Sequence, residues 1–537
     1  MARTDLLMRL QQLYGDFHEA EISGKPVSLI QEERPSRSSR REFLKVAAGA
    51  AAAAAVAQPA GLIGGPAPRI VIVGGGIAGL NAALTLQDAG YASTIYEASS
   101  RIGGRMHSDT TSWANGQVSE HCGELIDSTH KTILGLAKRF KISVADLLAA
   151  APPQSTDTAY FFGQYYPQSQ RNDDFNAVYQ AVKKDLIAAS FPTLYNSYTS
   201  AGLELDHLSV YDWIETRVPG GHNSPMGQLL DFAYNIELGA DTPVQSALNL
   251  VYLLGFQSVP GNFRIFGRSD ERYHLVGGNE GLPRAIAETL AAGSIQTGTA
   301  LTAIAKNKDG SYALSFSREP SKFTVTADRV ILALPFSILR NLDYNAAGFN
   351  AIKTTAIQQL GYGTNAKLHL QFTNRIWNQA GPWGISTGSS LSDTGYQNTW
   401  EVTRAQPGQT GILVDYTGGS IGASFTGDTS KQHVVQSYAL QFLSQLQPVF
   451  PGISQYWNGR ATLDTPARNP YSLGSYSFYK KGQYTSIAGA ERERSGKCHF
   501  AGEHCSINFQ GFMEGGADEG ARAANEILAD YKAGILP

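Results

Sequence analysis

The stretch from Arg69 to Arg105 constrains this chain more than any other. An apolar run, Ile70 to Val73, meets Gly74-Gly75-Gly76-Ile77-Ala78-Gly79; a helical pattern with Leu80, Ala83, Leu84 and Leu86 follows, and Ser93 to Tyr96 then leads to Glu97. Strand, glycine turn, helix, second strand and terminal acid stand in the order of the βαβ unit that opens a dinucleotide-binding sheet. Gly74 permits the tight turn, Gly76 lets the backbone approach a pyrophosphate, and Gly79 lets the helix pack on the strand. The helix N-terminus at Ile77 and Ala78 offers amides and a positive dipole to phosphates. Glu97, eighteen residues beyond Gly79, can accept ribose hydroxyls, and its carboxylate would repel a 2′-phosphate.

Arg101-Ile102-Gly103-Gly104-Arg105 follows at once. This RxGGR segment resembles the one that distinguishes FAD-binding amine oxidases from NAD dehydrogenases, where its arginines meet the FAD phosphates. The resemblance implies FAD as the cofactor, with Arg101, Gly104 and Arg105 among its contacts.

At 537 residues the chain exceeds one ordinary core, so two domains are expected. A hydrophobic content of 42% and a charged content of 17% fit a globular enzyme, and a net charge of −3 gives no case for nucleic-acid binding. Cys122, Cys498 and Cys505 cannot all pair and show no metal spacing, so they read as thiols and no metal site is expected.

Ahead of the nucleotide unit, Ser39-Arg40-Arg41-Glu42-Phe43-Leu44-Lys45 precedes twelve small apolar residues, Val46 to Ala57. Twelve residues are too few to span a bilayer at ~1.5 Å each, so no stable membrane span is expected. Basic pair, apolar run and Ala55-Val56-Ala57 stand in the order of an export signal, and the whole resembles the twin-arginine signal. The resemblance implies the twin-arginine export machinery as a partner and a periplasmic or extracellular destination. That route carries proteins already folded, which suits an enzyme that loads its cofactor in the cytoplasm. Residues 1–57 are therefore set apart from the fold, and Gln58 to Pro68 read as a linker.

Beyond the nucleotide unit, Glu120-His121-Cys122-Gly123-Glu124-Leu125-Ile126-Asp127 leads into a helix from about His130 to Phe140. Residues 157–260 carry helical periodicity and many aromatics, Tyr160, Phe161, Phe162, Tyr165, Tyr166, Phe175 and Tyr179 among them, which read as core. A helix from Arg284 to Ala292 precedes strands at Ser294–Thr297, Leu301–Lys306, Ser311–Phe316 and Phe323–Thr326 and a buried strand from Arg329. Residues 346–475 show period-2 patterns with scattered glycines, expected to form a largely antiparallel sheet. The fold class expected is α/β. A discontinuous Rossmann-like FAD domain (68–130, 272–340, 480–537) is joined to an α+β substrate domain (131–271, 341–479).

With the end of the chain, His499-Phe500-Ala501-Gly502-Glu503-His504 and Gln510-Gly511-Phe512-Met513-Glu514-Gly515-Gly516, the chain is identified as resembling the flavin-containing amine oxidase family. The similarity covers residues 68–533 and includes monoamine, polyamine and L-amino-acid oxidases. It implies that Ala98, Gly123, Glu124, Leu125, Leu301, Gly502, Glu503, Gly511, Phe512 and Met513 join the nucleotide turn in holding FAD. The helix after Gly511 would aim its amides at the flavin pyrimidine edge, where negative charge gathers on reduction.

Lys367 sits in the alternating strand Ala366-Lys367-Leu368-His369-Leu370, where an isolated lysine reads as solvated; the resemblance instead places it beside flavin N5, holding a water. Ser475 stands where monoamine oxidases carry a cysteine bound to FAD, so FAD should be non-covalent. Tyr476 and Phe512 take the places of the two aromatics over the flavin.

The resemblance implies oxidative deamination, with O2 as electron acceptor and hydrogen peroxide as product, of a small amino acid or amine. Leu125 stands where snake-venom-type amino-acid oxidases place a carboxylate-binding arginine, and Trp400 near an assisting tyrosine. Glu124 and Asp127 could suit a cationic substrate. An L-amino-acid oxidase is the first expectation and a primary-amine oxidase the second; a desaturase-like flavoprotein and a non-catalytic flavin-binding protein follow. Homo-oligomer formation is left open.

Overall fold

The computed structural model describes residues 68–255 and 270–535; the export signal expected at 1–57 lies outside them. Strand β1 (Ile70–Val73) is buried throughout, as four consecutive β-branched residues require when both faces are covered. It ends at Gly74, whose φ of +108° suits glycine and whose added Cβ would lie 2.5 Å from the Ala333 carbonyl oxygen. Helix α1 (Ile77–Asp88) starts behind Gly76, and β2 (Thr94–Tyr96) returns parallel to β1. Gly79 is a packing residue: a Cβ there would sit 2.0 Å from the Gly74 carbonyl oxygen.

Helix α2 (Lys131–Arg139) lies one residue inside the expected bounds at each end. Strands β3 (Thr156–Phe161) and β4 (Gln164–Tyr165) form a hairpin, and the helices that follow, Gln168–Ala189 to Ala247–Gly255, bury Phe161, Tyr166, Phe175 and Tyr179 with Trp213. Phe162 departs from that expectation and is 53% exposed, because it sits at a positive-φ position of the hairpin turn.

The rest of the chain supplies β5 (Ile295–Gln296), a separate antiparallel sheet from three strands within 300–327, and β6 (Arg329–Leu332). After them come β7 (Ala366–Phe372), β8 (Ser386–Ser392), β9 (Asn398–Glu401), β10 (Gly411–Thr417), α3 (Gln432–Leu446) and β11 (Trp457–Asp464). Strand β12 (Cys498–Phe500) and helix α4 (Met513–Lys532) close the chain.

Two sheets organise the molecule. The first is parallel, in the order β12-β6-β1-β2-β5, so its centre is built from segments far apart in sequence. The second has the order β11-β7-β10-β9-β8-β3-β4 and is antiparallel except where β8 meets β3. This is the mixed α/β architecture expected, with β3 and β4 added to the antiparallel sheet from outside 346–475.

Strand β7 shows how the two sheets meet. Ala366, Leu368, Leu370 and Phe372 face the core that includes Phe442 and Leu443 of α3. The opposite face is not solvated: Lys367, His369 and Gln371 are all buried, and Gln371 exchanges two hydrogen bonds of 3.0 Å with the backbone of Ala114. Helix α4 crosses α1 so closely that a Cβ on Gly520 would stand 2.1 Å from the Ala78 carbonyl oxygen, and Asn81 Nδ2 donates to the Ala517 carbonyl at 2.7 Å. Among the described residues no helix is long and apolar enough to cross a membrane.

Candidate active site

A cavity of about 1170 Å3 lies between the two sheets. One wall is the carboxyl end of the parallel strands, at Gly74 after β1, Glu97 after β2 and Ala333 after β6, where open α/β sheets take their ligands. The other is a face of the antiparallel sheet, which contributes Lys367, Trp400, Tyr416 and Asp464 from four of its strands.

At the first wall the residues fit a dinucleotide. Neither α1 nor α4 has a side-chain cap, so the N–H groups of both first turns are left to a ligand, and Ile77, Ala78, Gly511, Phe512 and Met513 all line the cavity. A Cβ on Gly76 would meet nothing nearer than Gly104 Cα at 3.9 Å, which leaves the backbone bare toward the space. Glu97 accepts from Gly75 N at 2.7 Å and Ser99 N at 2.8 Å, one on each oxygen, keeping a lone pair on each for ribose hydroxyls. Arg101 donates to the carbonyls of Ile102 and Gly104, which fixes the loop that carries its charge. Ala98, Leu301 and Gly502 line the same cavity; Gly79 does not.

Glu503 ties this wall to the rest. Its Oε1 accepts from Arg105 Nη1 at 2.9 Å and Ser477 N at 3.1 Å, and its Oε2 from Ser477 Oγ and Gly511 N, both at 2.8 Å. With four donors on one carboxylate, Glu503 serves by placing Arg105 and the start of α4. Burial is the largest influence on its carboxyl and works to raise it, but the Arg105 charge together with the donors around the carboxylate holds it below the usual range. His504, 2% exposed, lines the cavity with neither ring nitrogen bonded among the described residues, and burial pushes its ring down to about 3, so it is neutral. Nothing in the sequence had marked it.

The far end holds the expected reactive residues. Lys367 Nζ lies 2.7 Å from Glu124 Oε2 and 3.2 Å from the Glu120 carbonyl oxygen, and Glu124 Oε1 accepts from Trp400 Nε1 at 2.8 Å. Tyr476 and Phe512 line the cavity together with Gly123, Leu125 and Tyr416. Tyr416, which sequence reasoning missed, meets the Tyr476 hydroxyl at 2.7 Å and stands edge-on to Trp400 with ring centroids 4.9 Å apart. Two substrate-binding expectations need correction. Asp127 is fully buried outside the cavity, bonded to Glu271 N and beside His130, because its loop turns inward at Ile126. Trp400 spends its N–H on Glu124, so it cannot assist a carboxylate through that group.

Ser475 faces the cavity and donates to Asn365 Oδ1 at 2.6 Å. The three cysteines are free; burial pushes the Cys122 thiol up to about 11, which keeps it protonated and unreactive.

Residues 77–528 match the model of the flavin-containing amine oxidoreductases. The chain belongs to that family. Family members of this kind are flavin oxidoreductases acting on CH–NH2 groups, and FAD is the flavin they carry. An L-amino acid dehydrogenase of Synechocystis is 26% identical over 85% of this chain and 94% of that protein. An L-amino-acid oxidase of Mus musculus is 23% identical over 86% of this chain and 71% of that protein. Among solved structures, cyclohexylamine oxidase from Brevibacterium oxydans superposes with a TM-score of 0.74 at 19% identity, covering 87% of this chain and all of that one. Arg101, Arg105 and the first turns of α1 and α4 line the cavity on the side of the parallel sheet, and Lys367 lines it on the side of the antiparallel sheet.

Proposed function

We propose that this protein is an L-amino-acid oxidase that holds FAD non-covalently, converting its substrate to a 2-oxo acid and ammonia with hydrogen peroxide from O2. The observation that carries this reading is Arg404. This residue, 4% exposed, lines a narrow space together with Leu125, Trp400 and Glu271, which also line the main cavity. Leu125 occupies the expected anchor position, and Arg404, whose Nε donates to the Glu401 carbonyl at 3.3 Å, lines the space beside it; taking a substrate carboxylate would require Leu125 to turn aside and the guanidinium to exchange a present partner. Glu124, committed to Lys367 and Trp400, is not offered to a cationic substrate tail, which counts against a polyamine. Bound FAD supplies the hydride acceptor and the route to oxygen. The protein's part is to hold the amine between Tyr476 and Phe512, keep the Lys367 cation at the reacting end, and exclude bulk water.

The test compares an amino acid with its decarboxylated amine, phenylalanine against phenethylamine and lysine against cadaverine. An anchored carboxylate is worth ~1.5–3 kcal/mol, so the acid should be preferred by at least ~10-fold in kcat/KM, and Arg404→Met should erase the preference mainly through KM. Equal or better turnover of the amines gives the primary-amine oxidase instead, the reading that Leu125 alone favours.

Ser475 supports non-covalent FAD, because a hydroxyl cannot form a thioether at that position. Acid precipitation should leave the yellow colour in the supernatant, and flavin retained by the washed pellet would refute this. We also propose export through the twin-arginine route, supported by Arg40-Arg41 before the apolar run. Changing both to lysine should trap folded, yellow protein in the cytoplasm; an unchanged exported yield would exclude that route.

A further inference from the structure

Lys367 is 5% exposed and Glu124 7%, so two opposite charges lie buried at the reacting end of the cavity. An ammonium has three N–H groups. Here one goes to Glu124 Oε2 and one to the Glu120 carbonyl, while the Trp400 ring centroid stands 5.5 Å from Nζ. The lysine also lines the cavity, where its third N–H can meet whatever binds there.

The other ionisable groups around Lys367 are neutral or have partners of their own. The Glu120 carboxylate is taken by Ser108 Oγ, His274 Nε2 and Asn279 N, each at 2.8 Å. Tyr416 and Asp464 lie opposite it on the two neighbouring strands, but Asp464 Oδ1 is held by His121 Nδ1 at 2.8 Å. His369, next on the same face of β7, is kept neutral by burial and by Lys367 itself. Cys122 stays a thiol. Glu124 remains, and its second oxygen is fixed by Trp400, so its distance to Nζ is set by the sheet rather than by a mobile loop.

We propose that Glu124 is a positioning residue, the counter-ion that keeps Lys367 charged and aimed into the cavity, with Trp400 as its clamp. The proposal rests on the reading that the flavin's reactive edge lies against Lys367. Removing one member of a buried pair exposes the other to the full cost of burial, and a buried ammonium meets that cost by losing its proton. A Lys367 without Glu124 would therefore shed its charge as pH rises, and oxygen would meet an uncharged site.

The experiment uses the full-length holoenzyme and needs no amine substrate. Native protein, Glu124→Gln, Lys367→Met, the double variant and Trp400→Phe are reduced with dithionite and mixed with oxygenated buffer between about pH 6 and 9. Reoxidation is followed by flavin absorbance, with melting temperatures recorded alongside. The native rate should be flat with pH, Glu124→Gln should lose at least ~10-fold as pH rises, and Trp400→Phe should bend less. Lys367→Met and the double variant should be slow and flat. The two single substitutions should each lower the melting temperature, and the double variant should lose less than their sum. A flat profile in Glu124→Gln overturns the proposal, as do additive melting losses. Should no amino acid be turned over, the functional reading fails while both measurements still judge the pair; the melting cycle applies even to protein that retains no flavin.

Discussion

Replacing Gly520 by alanine should leave a protein that retains little FAD and melts well below the native one, although alanine is the better helix former. In an exposed helix the exchange would favour folding by ~1 kcal/mol. Here the new methyl would lie 2.1 Å from the Ala78 carbonyl oxygen, a backbone atom in the first turn of α1 that cannot swing aside. Relief requires α1 and α4 to separate by about an ångström, and overpacking of this kind costs ~1–3 kcal/mol or more. The strain falls on the two helices whose first turns open on the cavity, so cofactor affinity should fall with stability. Gly135→Ala is the control: in α2, with nothing within 4 Å of the added carbon, it should match or exceed native stability. Native-like melting and FAD retention in Gly520→Ala would show that the helices do not cross as closely as described.

Glu503→Gln should be the most damaging change of a single charged group. The glutamine is the same shape, but four donors surround that carboxylate. An amide turns its own N–H groups on two of them and leaves Arg105 without its anion. Breaking a buried pair costs ~3–5 kcal/mol, and the loss should show as weaker FAD binding, since Arg105 and Gly511 both lose their placement. The pH dependence has a definite sign. Because the folded state holds the Glu503 carboxyl below its ordinary value, its stabilising effect is present above that value and is lost as pH falls through the folded one. Native protein should therefore lose stability below about pH 4, and the glutamine variant should lack that component of the decline. A variant that binds FAD with native affinity would exclude the placing role.

The parts of this molecule that were legible in its sequence are those whose physics is local. The β1, α1 and β2 unit could be read because β-branched residues, a glycine turn and a helical stripe follow one another directly. The bounds of α2 came within one residue for the same reason. Strand β8 was not legible. Ser386 to Ser392 offers almost no apolar alternation, yet it is fully buried, because its hydroxyls pair with one another's neighbours: Ser390 Oγ meets Tyr396 OH at 2.7 Å and Thr399 Oγ1 at 2.6 Å. Lys367 was found only by resemblance, since its strand alternates as a half-solvated strand would, and the residues that bury its polar face come from the 113–124 stretch. Its bond to Glu124 spans 243 positions in sequence, and no pattern within either segment announces it. Asp127 failed in the opposite direction: an acid on a polar loop reads as accessible, and only the turn at Ile126 shows that it points inward.

The parallel sheet is assembled from segments that are synthesised far apart in time. Strand β1 lies near the start of the described chain, but its neighbour β6 comes from residues 329–332, and β12 beyond it from 498–500. Helix α4, which supplies half of the uncapped backbone in the cavity, is later still. A nascent chain emerging from the ribosome therefore carries the glycine turn through about 250 residues of synthesis without β6, and through about 420 without β12 or the helix that faces it. Contacts this distant in sequence form slowly and leave the β6 side of apolar β1 unpaired in the meantime, with only β2 beside it. In this architecture residues 498–532 complete the wall that the glycine turn opens, so the turn has its full binding surface only after they have been made.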